Sequence, residues 1–327
     1  MPDLWLSVLS QVGVASAAET VGPPRCAPQI ESVIAMNQSA ILPLQGSRHL
    51  LAVDTSDFIR RAWHGWVNER RNEPARVAPS AIRAIAKLLR GQQPSHVLCA
   101  TEGLGSIRKQ MFAEYKGNRP PKPDGLLFCE GQVATALRSA WIPLHSHAGL
   151  EADDVIHGAV LVAKQVALPV VIASRDKDLE CLAHAESRVV ILSGDVALDE
   201  AAVRAKWGVE PRHIPDILAL SGDTADNIPH VRGWGPAAAK RILGSRTLAD
   251  LLGPDGYWYV GDKYRKLFLD NREMIRVARE LVTLRGEMVV HKLDVDEMEC
   301  NALRAAASLM EIADNMGVDD NEFMGDY

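Results

Sequence analysis

Leu50-Leu51-Ala52-Val53-Asp54 decides how the rest of the chain is read: four apolar residues run without interruption into a carboxylate. A short unbroken apolar run of this kind suits a strand buried on both faces. The same pattern returns at His96 to Ala100, at Ile142-Pro143-Leu144 ahead of Glu151, at Val170-Val171-Ile172-Ala173 ahead of Asp176, and at Val189-Val190-Ile191-Leu192. Helical patterns fall between them, at about 57–68 and at 80–90, the second opening after Pro79-Ser80. Strands alternating with helices predict an α/β fold, a mainly parallel central sheet flanked by helices on both faces. In such sheets ligands gather beyond the carboxyl ends of the strands, and acidic residues follow three of these strands closely.

After about residue 199 the strand signals stop and helical patterns run to about 285, which predicts a C-terminal helical lobe. The domain plan is therefore an N-terminal extension at 1–47, partly disordered; an α/β core at 48–198; the helical lobe at 199–290; and a C-terminal extension at 291–327. That last segment ends in a solvated acidic tail with Asp319, Asp320, Glu322 and Asp326.

Bulk properties exclude several classes. The 327 residues, 47% hydrophobic and 24% charged, are ordinary for a globular enzyme. The five cysteines are widely spaced and form no C-x-x-C pair, so neither a disulfide framework nor a zinc knuckle is expected. The first residues lack the basic start of a signal peptide, and no stretch is long and apolar enough to span a bilayer, so the chain is expected to be cytoplasmic; a monomer is the expected state. The net charge of -6 opposes binding to nucleic acid only until metals are considered, because carboxylates that ligate divalent cations no longer repel phosphate.

The carboxylates are the chemical signal. Asp54 follows the first strand and Glu102 the second. Glu151, Asp153 and Asp154 stand in Leu-Glu-Ala-Asp-Asp-Val, Asp176 and Asp178 in Arg-Asp-Lys-Asp, and Asp223 and Asp226 in Ser-Gly-Asp-Thr-Ala-Asp-Asn. Taken singly, Asp153 or Asp223 reads more simply as a helix cap. Taken together, most of them converge on one sheet edge, where two like charges ~4 Å apart at an effective dielectric of ~20 repel by roughly 4 kcal/mol. Hard divalent cations with oxygen ligands resolve that repulsion, and Mg²⁺, with Mn²⁺ as substitute, suits them best. Two such ions can activate water and stabilise a leaving oxygen.

At this point the chain resembles the flap endonuclease and 5′→3′ exonuclease family, which includes the 5′-nuclease domain of bacterial DNA polymerase I and the phage flap endonucleases. Five blocks in the family's order carry the likeness: Leu51-Ala52-Val53-Asp54-Thr55-Ser56; Tyr115-Lys116-Gly117-Asn118-Arg119-Pro120-Pro121; Gly149 to Ile156; Ser174-Arg175-Asp176-Lys177-Asp178-Leu179; and Gly222 to Pro229, continuing into Val231-Arg232-Gly233-Trp234-Gly235-Pro236. The resemblance implies a PIN-like nuclease core with an arch at about 105–125 and a helix-hairpin-helix in the helical lobe. It implies that Asp54, Glu151, Asp153, Asp154, Asp176, Asp178, Asp223 and Asp226 are metal ligands. Asp54, Asp153 and Asp154 would hold one ion with Asp176 nearby, and Asp178, Asp223 and Asp226 the other. Lys116 and Arg119 would contact the scissile phosphate, and Tyr115 would offer a stacking face to an unpaired base. Gly233, Trp234 and Gly235, with Lys240 and Arg241 a turn later, would grip duplex DNA, with K⁺ at the hairpin.

Two departures stand out. Where the family places an aspartate at the end of the second strand this chain has Thr101, with Glu102 beside it as a substitute ligand, and where the hairpin often has a lysine it has Ala237. The function implied is metal-dependent hydrolysis of DNA at 5′ ends, nicks or 5′ flaps, with RNA–DNA primer junctions as further substrates. The alternative is a structure-specific DNA-binding protein of the same family whose cutting has weakened.

Overall fold

The computed structural model describes residues 46–68 and 72–317. Nearly all of the expected N-terminal extension, and the acidic tail, lie outside the described residues. The sheet has six strands: β1 (Leu50–Asp54), β2 (His96–Ala100), β3 (Leu144–His145), β4 (Val170–Ala173), β5 (Val189–Ser193) and β6 (Val196–Leu198), in the order β3-β2-β1-β4-β5-β6. All pairings are parallel except β5 with β6. The chain builds outward from β1 in one direction through β2 and β3, then crosses back to lay β4 and β5 on the other side. The crevice between β1 and β4 is therefore the topological switch point, where α/β sheets bind ligands. Asp54 closes β1 there, and Asp176 follows β4 by three residues.

Side-chain parity explains why the strands lack polar alternation. Leu51, Val53, Val97, Cys99 and Val171 pack on one face with helices α1 (Thr55–Trp63), α2 (Val77–Gln92) and α4 (Asp124–Ser139). Leu50, Ala52, Leu98, Val170, Ile172 and Ile191 pack on the other with α5 (Ala152–Gln165). Between β2 and α4 lies the short α3 (Ile107–Met111). Beyond the sheet follow α6 (Glu200–Trp207), α7 (Ile214–Ser221), α8 (Pro236–Leu243), α9 (Leu248–Leu252), α10 (Asp262–Asp270) and α11 (Arg272–Val282). Ile217, Leu220, Trp234, Ile242, Leu251, Phe268, Ile275 and Ala278 form a third core among them. Among the described residues no helix is long and apolar enough to cross a membrane.

The structure departs from expectation in four places. The first helix stays α-helical only to Trp63 and continues as a π turn over His64–Asn68. The third strand shrinks to two residues: its pairing with β2 starts at Leu144, and Pro143, which has no N–H to give, contributes only its carbonyl to Cys99 N–H at 2.9 Å. A sixth strand, β6, turns back on β5 through Gly194-Asp195. Finally, the expected C-terminal extension returns to the core. Cys300 N–H donates to Ser95 O at 2.9 Å, and α12 (Ala302–Asn315) buries Ala302, Ala305, Ala306, Leu309 and Ala313 against α2. Its small residues at helical spacing let the two helices approach closely. Leu309→Ala is accordingly expected to cost about 3 kcal/mol in urea unfolding, where a peripheral tail would show a loss below about 0.5 kcal/mol.

Candidate active site

Helix starts aim most of the acids. Asp54 is the N-cap of α1: one carboxylate oxygen accepts Asp57 N–H at 3.0 Å and the other accepts the Ser174 hydroxyl at 2.9 Å. Asp176 caps the short 3-10 segment Lys177–Leu182, accepting Asp178 N–H at 2.9 Å, while its own N–H donates to Ser174 Oγ at 3.0 Å. Ser174 thus joins the ends of β1 and β4. Glu151 is the N-cap of α5, which places Asp153 and Asp154 in its first turn.

The field at this edge is that of crowded anions. Burial and the neighbouring Asp57 push the Asp54 carboxyl up to about 6. Burial, Asp176 and Asp226 push Asp178 up to about 7. Asp153 is raised well above the usual range by burial, Asp176 and Asp54, and Asp176 is raised by burial first and then by Asp226. One buried oxygen of Asp178 has no hydrogen-bond partner. Burial and nearby anions thus disfavour the charged form of all four carboxyls, and hard divalent cations are the partners that such oxygens suit.

Side-chain cations cover the remaining acids. Lys116 Nζ donates to Glu151 at 2.9 Å and lies 3.5 Å from Asp226; Arg119 pairs with Asp226 as well. The segment carrying them is fastened to the 224–227 turn by Lys116 N–H to Asp226 O (2.9 Å), Asn118 Nδ2 to Thr224 O (2.6 Å) and Asn227 Nδ2 to Glu114 O (2.7 Å). Lys116 itself has φ 53°, a left-handed backbone uncommon for a side-chain-bearing residue. Among the described residues no group of three His, Cys, Asp or Glu side chains is arranged to hold a metal as it stands.

Several expected roles are corrected. Asp154 is fully buried and all its acceptor positions are taken: Arg108 donates twice, at 2.7 and 2.8 Å, and the N–H groups of Glu151 (3.0 Å) and Arg285 (2.8 Å) complete the set, so it is a structural anchor with no lone pair for a metal. Asp223 accepts Ala225 N–H on one oxygen (2.9 Å), which closes the turn presenting Asp226, and pairs with Lys177 on the other (2.7 Å), a side-chain counterion like those of Glu151 and Asp226. Glu102 is held by Arg60 on one oxygen and by Lys122 at 2.8 Å on the other, and these cations lower its carboxyl, so it does not stand in for the carboxylate missing at Thr101. Tyr115 cannot stack on a base: its ring is buried and its one hydroxyl proton is shared between Glu151 (2.9 Å) and Asp226 (3.2 Å), with burial and those anions raising its pKa.

At the hairpin, Trp234 is buried in the third core, edge-on to Tyr264 at 6.0 Å, so it shapes the turn from inside. Gly233, at φ +85°, and Gly235 leave the turn's backbone exposed ahead of α8, with Arg241 exposed on α8 and Lys240 half-buried near Gly208. Two cations escaped the sequence reading. Arg108 knots α3 to α5 and to the carbonyls of Leu281 (2.8 Å) and Thr283 (2.9 Å). Arg60, one and a half turns into α1, reaches the field of Asp54 and Asp153.

Comparison with known proteins places this architecture. The model of the 5′-3′ exonuclease N-terminal resolvase-like domain matches residues 49–208, and that of the 5′-3′ exonuclease C-terminal SAM fold matches residues 209–306. The chain belongs to the 5′-3′ exonuclease and flap endonuclease family. It is 31% identical to flap endonuclease Xni of Shewanella sp. (strain W3-18-1) over 243 residues, 73% of this chain and 90% of that protein. It is also 31% identical over 261 residues to DNA polymerase I of Rhizobium leguminosarum, a match that spans only 26% of that much longer protein. A bacteriophage T5 flap endonuclease, solved with DNA and metal ions, shares the fold at a TM-score of 0.60 with 19% identity, over 82% of this chain and all of that one.

Proposed function

We propose that this chain hydrolyses DNA phosphodiester bonds at 5′ ends, nicks or 5′ flap junctions, in replication or repair, using two divalent cations of the Mg²⁺ type. The observation that carries the reading is the gathering of Asp54, Asp153, Asp176 and Asp178 at the switch point of the sheet, where burial first and neighbouring carboxylates second raise all four. Asp54, Asp153 and Asp176, with Glu151, would hold one ion, and Asp178, Asp223 and Asp226 the other. When bound, such a pair lowers the pKa of water and neutralises the leaving oxygen.

This chain's residues do the rest. Lys116 and Arg119 now serve as counterions to Glu151 and Asp226. Once those carboxylates are neutralised otherwise, the two basic groups are released toward a phosphate's non-bridging oxygens, where charge builds in the transition state. Tyr115 keeps Glu151 and Asp226 at a fixed spacing through its hydroxyl. Duplex DNA would lie along the exposed Gly233–Gly235 turn and Arg241, with K⁺ a candidate at the hairpin. A cytoplasmic monomer fits this role.

The test is a 5′-labelled flap DNA with Mg²⁺ or Mn²⁺, run beside Asp176→Ala. Cleavage leaving a 5′-phosphate in the wild type, abolished in the variant, is the expected result. Shape-selective binding with no cutting in either ion would favour the weakened binding protein instead, a reading that draws on Thr101 and on the occupied Glu102.

A further inference from the structure

The helical lobe carries aromatic surface that the hairpin does not explain. Gly256-Tyr257-Trp258-Tyr259 forms a short 3-10 turn between α9 and α10, and Trp258 and Tyr259 are 59% and 60% exposed. The turn is braced from behind. Arg265 donates to the carbonyls of Tyr257 (3.3 Å) and Trp258 (3.1 Å), its other end pairing with Asp262, and Tyr257 packs beside Trp258 at 4.8 Å between ring centres. Two large rings left in water on a braced turn are exposed apolar surface of the kind that contact sites use.

Cations surround the rings. The Arg246 guanidinium lies 3.7 Å over Tyr259, and Arg265 lies 5.5 Å from Trp258. Arg246 also lies in a stretch, 228–249, that contains Arg232, Lys240, Arg241 and Arg246 and no acidic residue, in a chain whose net charge is -6. That stretch begins at the hairpin, and Tyr264 of α10 touches Trp234 there. Cations set against exposed aromatic faces are the combination that binds a single strand, phosphates on the cations and bases on the rings.

We propose that Trp258 and Tyr259, flanked by Arg246 and Arg265, form a stacking shelf for unpaired DNA bases adjoining the duplex held at the hairpin. The proposal takes its ligand from the nuclease reading, yet its test needs no cleavage. Full-length protein in metal-free buffer would be titrated, by fluorescence anisotropy, against a labelled blunt duplex and the same duplex with an unpaired tail at either end. Relative to wild type, Trp258→Ala/Tyr259→Ala is expected to weaken binding of one tailed duplex about 10- to 100-fold and to leave the blunt duplex unchanged. Trp258→Phe/Tyr259→Phe, which keeps the π-faces, should retain most of the affinity. The shelf is overturned if the alanine pair binds tailed and blunt duplexes like wild type, if it loses both equally, or if the phenylalanine pair is as weak as the alanine pair. Should the wild type discriminate tailed DNA yet cut no substrate in Mg²⁺ or Mn²⁺, the nuclease reading would fail and the shelf would stand.

Discussion

Replacing Arg108 with methionine is expected to remove about 3–5 kcal/mol of folding stability, because it strands a buried charge without its partner. Asp154 is fully buried and Arg108 only 3% exposed, with both guanidinium ends on its carboxylate and two further donations to Leu281 and Thr283 carbonyls. The one side chain thus joins α3, α5 and the loop after α11. Arg108, through its hydrogen bonds and charge, keeps the Asp154 carboxyl below its ordinary range despite burial. A depressed carboxyl contributes stability that is present above the unfolded pKa, about 3.9, and is lost as pH falls through the folded value. The deficit of Arg108→Met in urea unfolding should therefore be largest near neutral pH and shrink below about pH 4. Pairing it with Asp154→Leu should recover much of the loss, since an apolar pair carries no desolvated charge. A single-variant loss under about 1 kcal/mol, or a double variant no better than the single, would remove Arg108 from this role.

What the sequence made legible, and what it hid, divides along the same line between local and non-local chemistry. β1, β2, β4 and β5 were readable because strands buried on both faces need unbroken apolar runs, and the acids that follow them mark their carboxyl ends. β6 carried a signal too, the Gly194-Asp195 pair between two β-prone runs, with Gly194 at φ +63°. The return of α12 to the core was harder, since Ala305, Ala306 and Leu309 declare an apolar face without saying what it covers. At the site, residue type and spacing pick out the acids but not their states. Glu151-Ala152-Asp153-Asp154 reads as four consecutive positions, and only the α5 start turns Asp153 toward the sheet edge and Asp154 back to its own N-cap. Glu102 was lost to a partner distant in sequence, Arg60. Tyr115 next to two basic residues looks like a nucleic-acid contact until its ring is seen buried and its hydroxyl between two carboxylates.

Asp153→Asn carries the second large effect, and it acts in opposite directions on catalysis and on folding. Under the proposed mechanism this carboxylate faces the bound cations, so its loss should lower flap cleavage by at least about 10²–10³-fold, the scale on which one preorganised electrostatic group acts. In metal-free buffer the same change should stabilise the protein. Burial, Asp176 and Asp54 raise the Asp153 carboxyl, so between the unfolded pKa and the folded one the native state binds more protons than the unfolded state. The Asp153 contribution then falls as pH rises above about 4, and Asp54 and Asp178 add losses of their own up to their values near 6 and 7. Asparagine removes one contributor to that slope, so metal-free Tm should rise relative to wild type at pH 8 and match it near pH 4. Adding Mg²⁺ at about 100 times its Kd should stabilise wild type by about 2.7 kcal/mol and the variant by less, which narrows or inverts the order. A variant that cleaves within tenfold of wild type, or that is less stable without metal at pH 8, would mean that Asp153 neither faces the cations nor repels its neighbours.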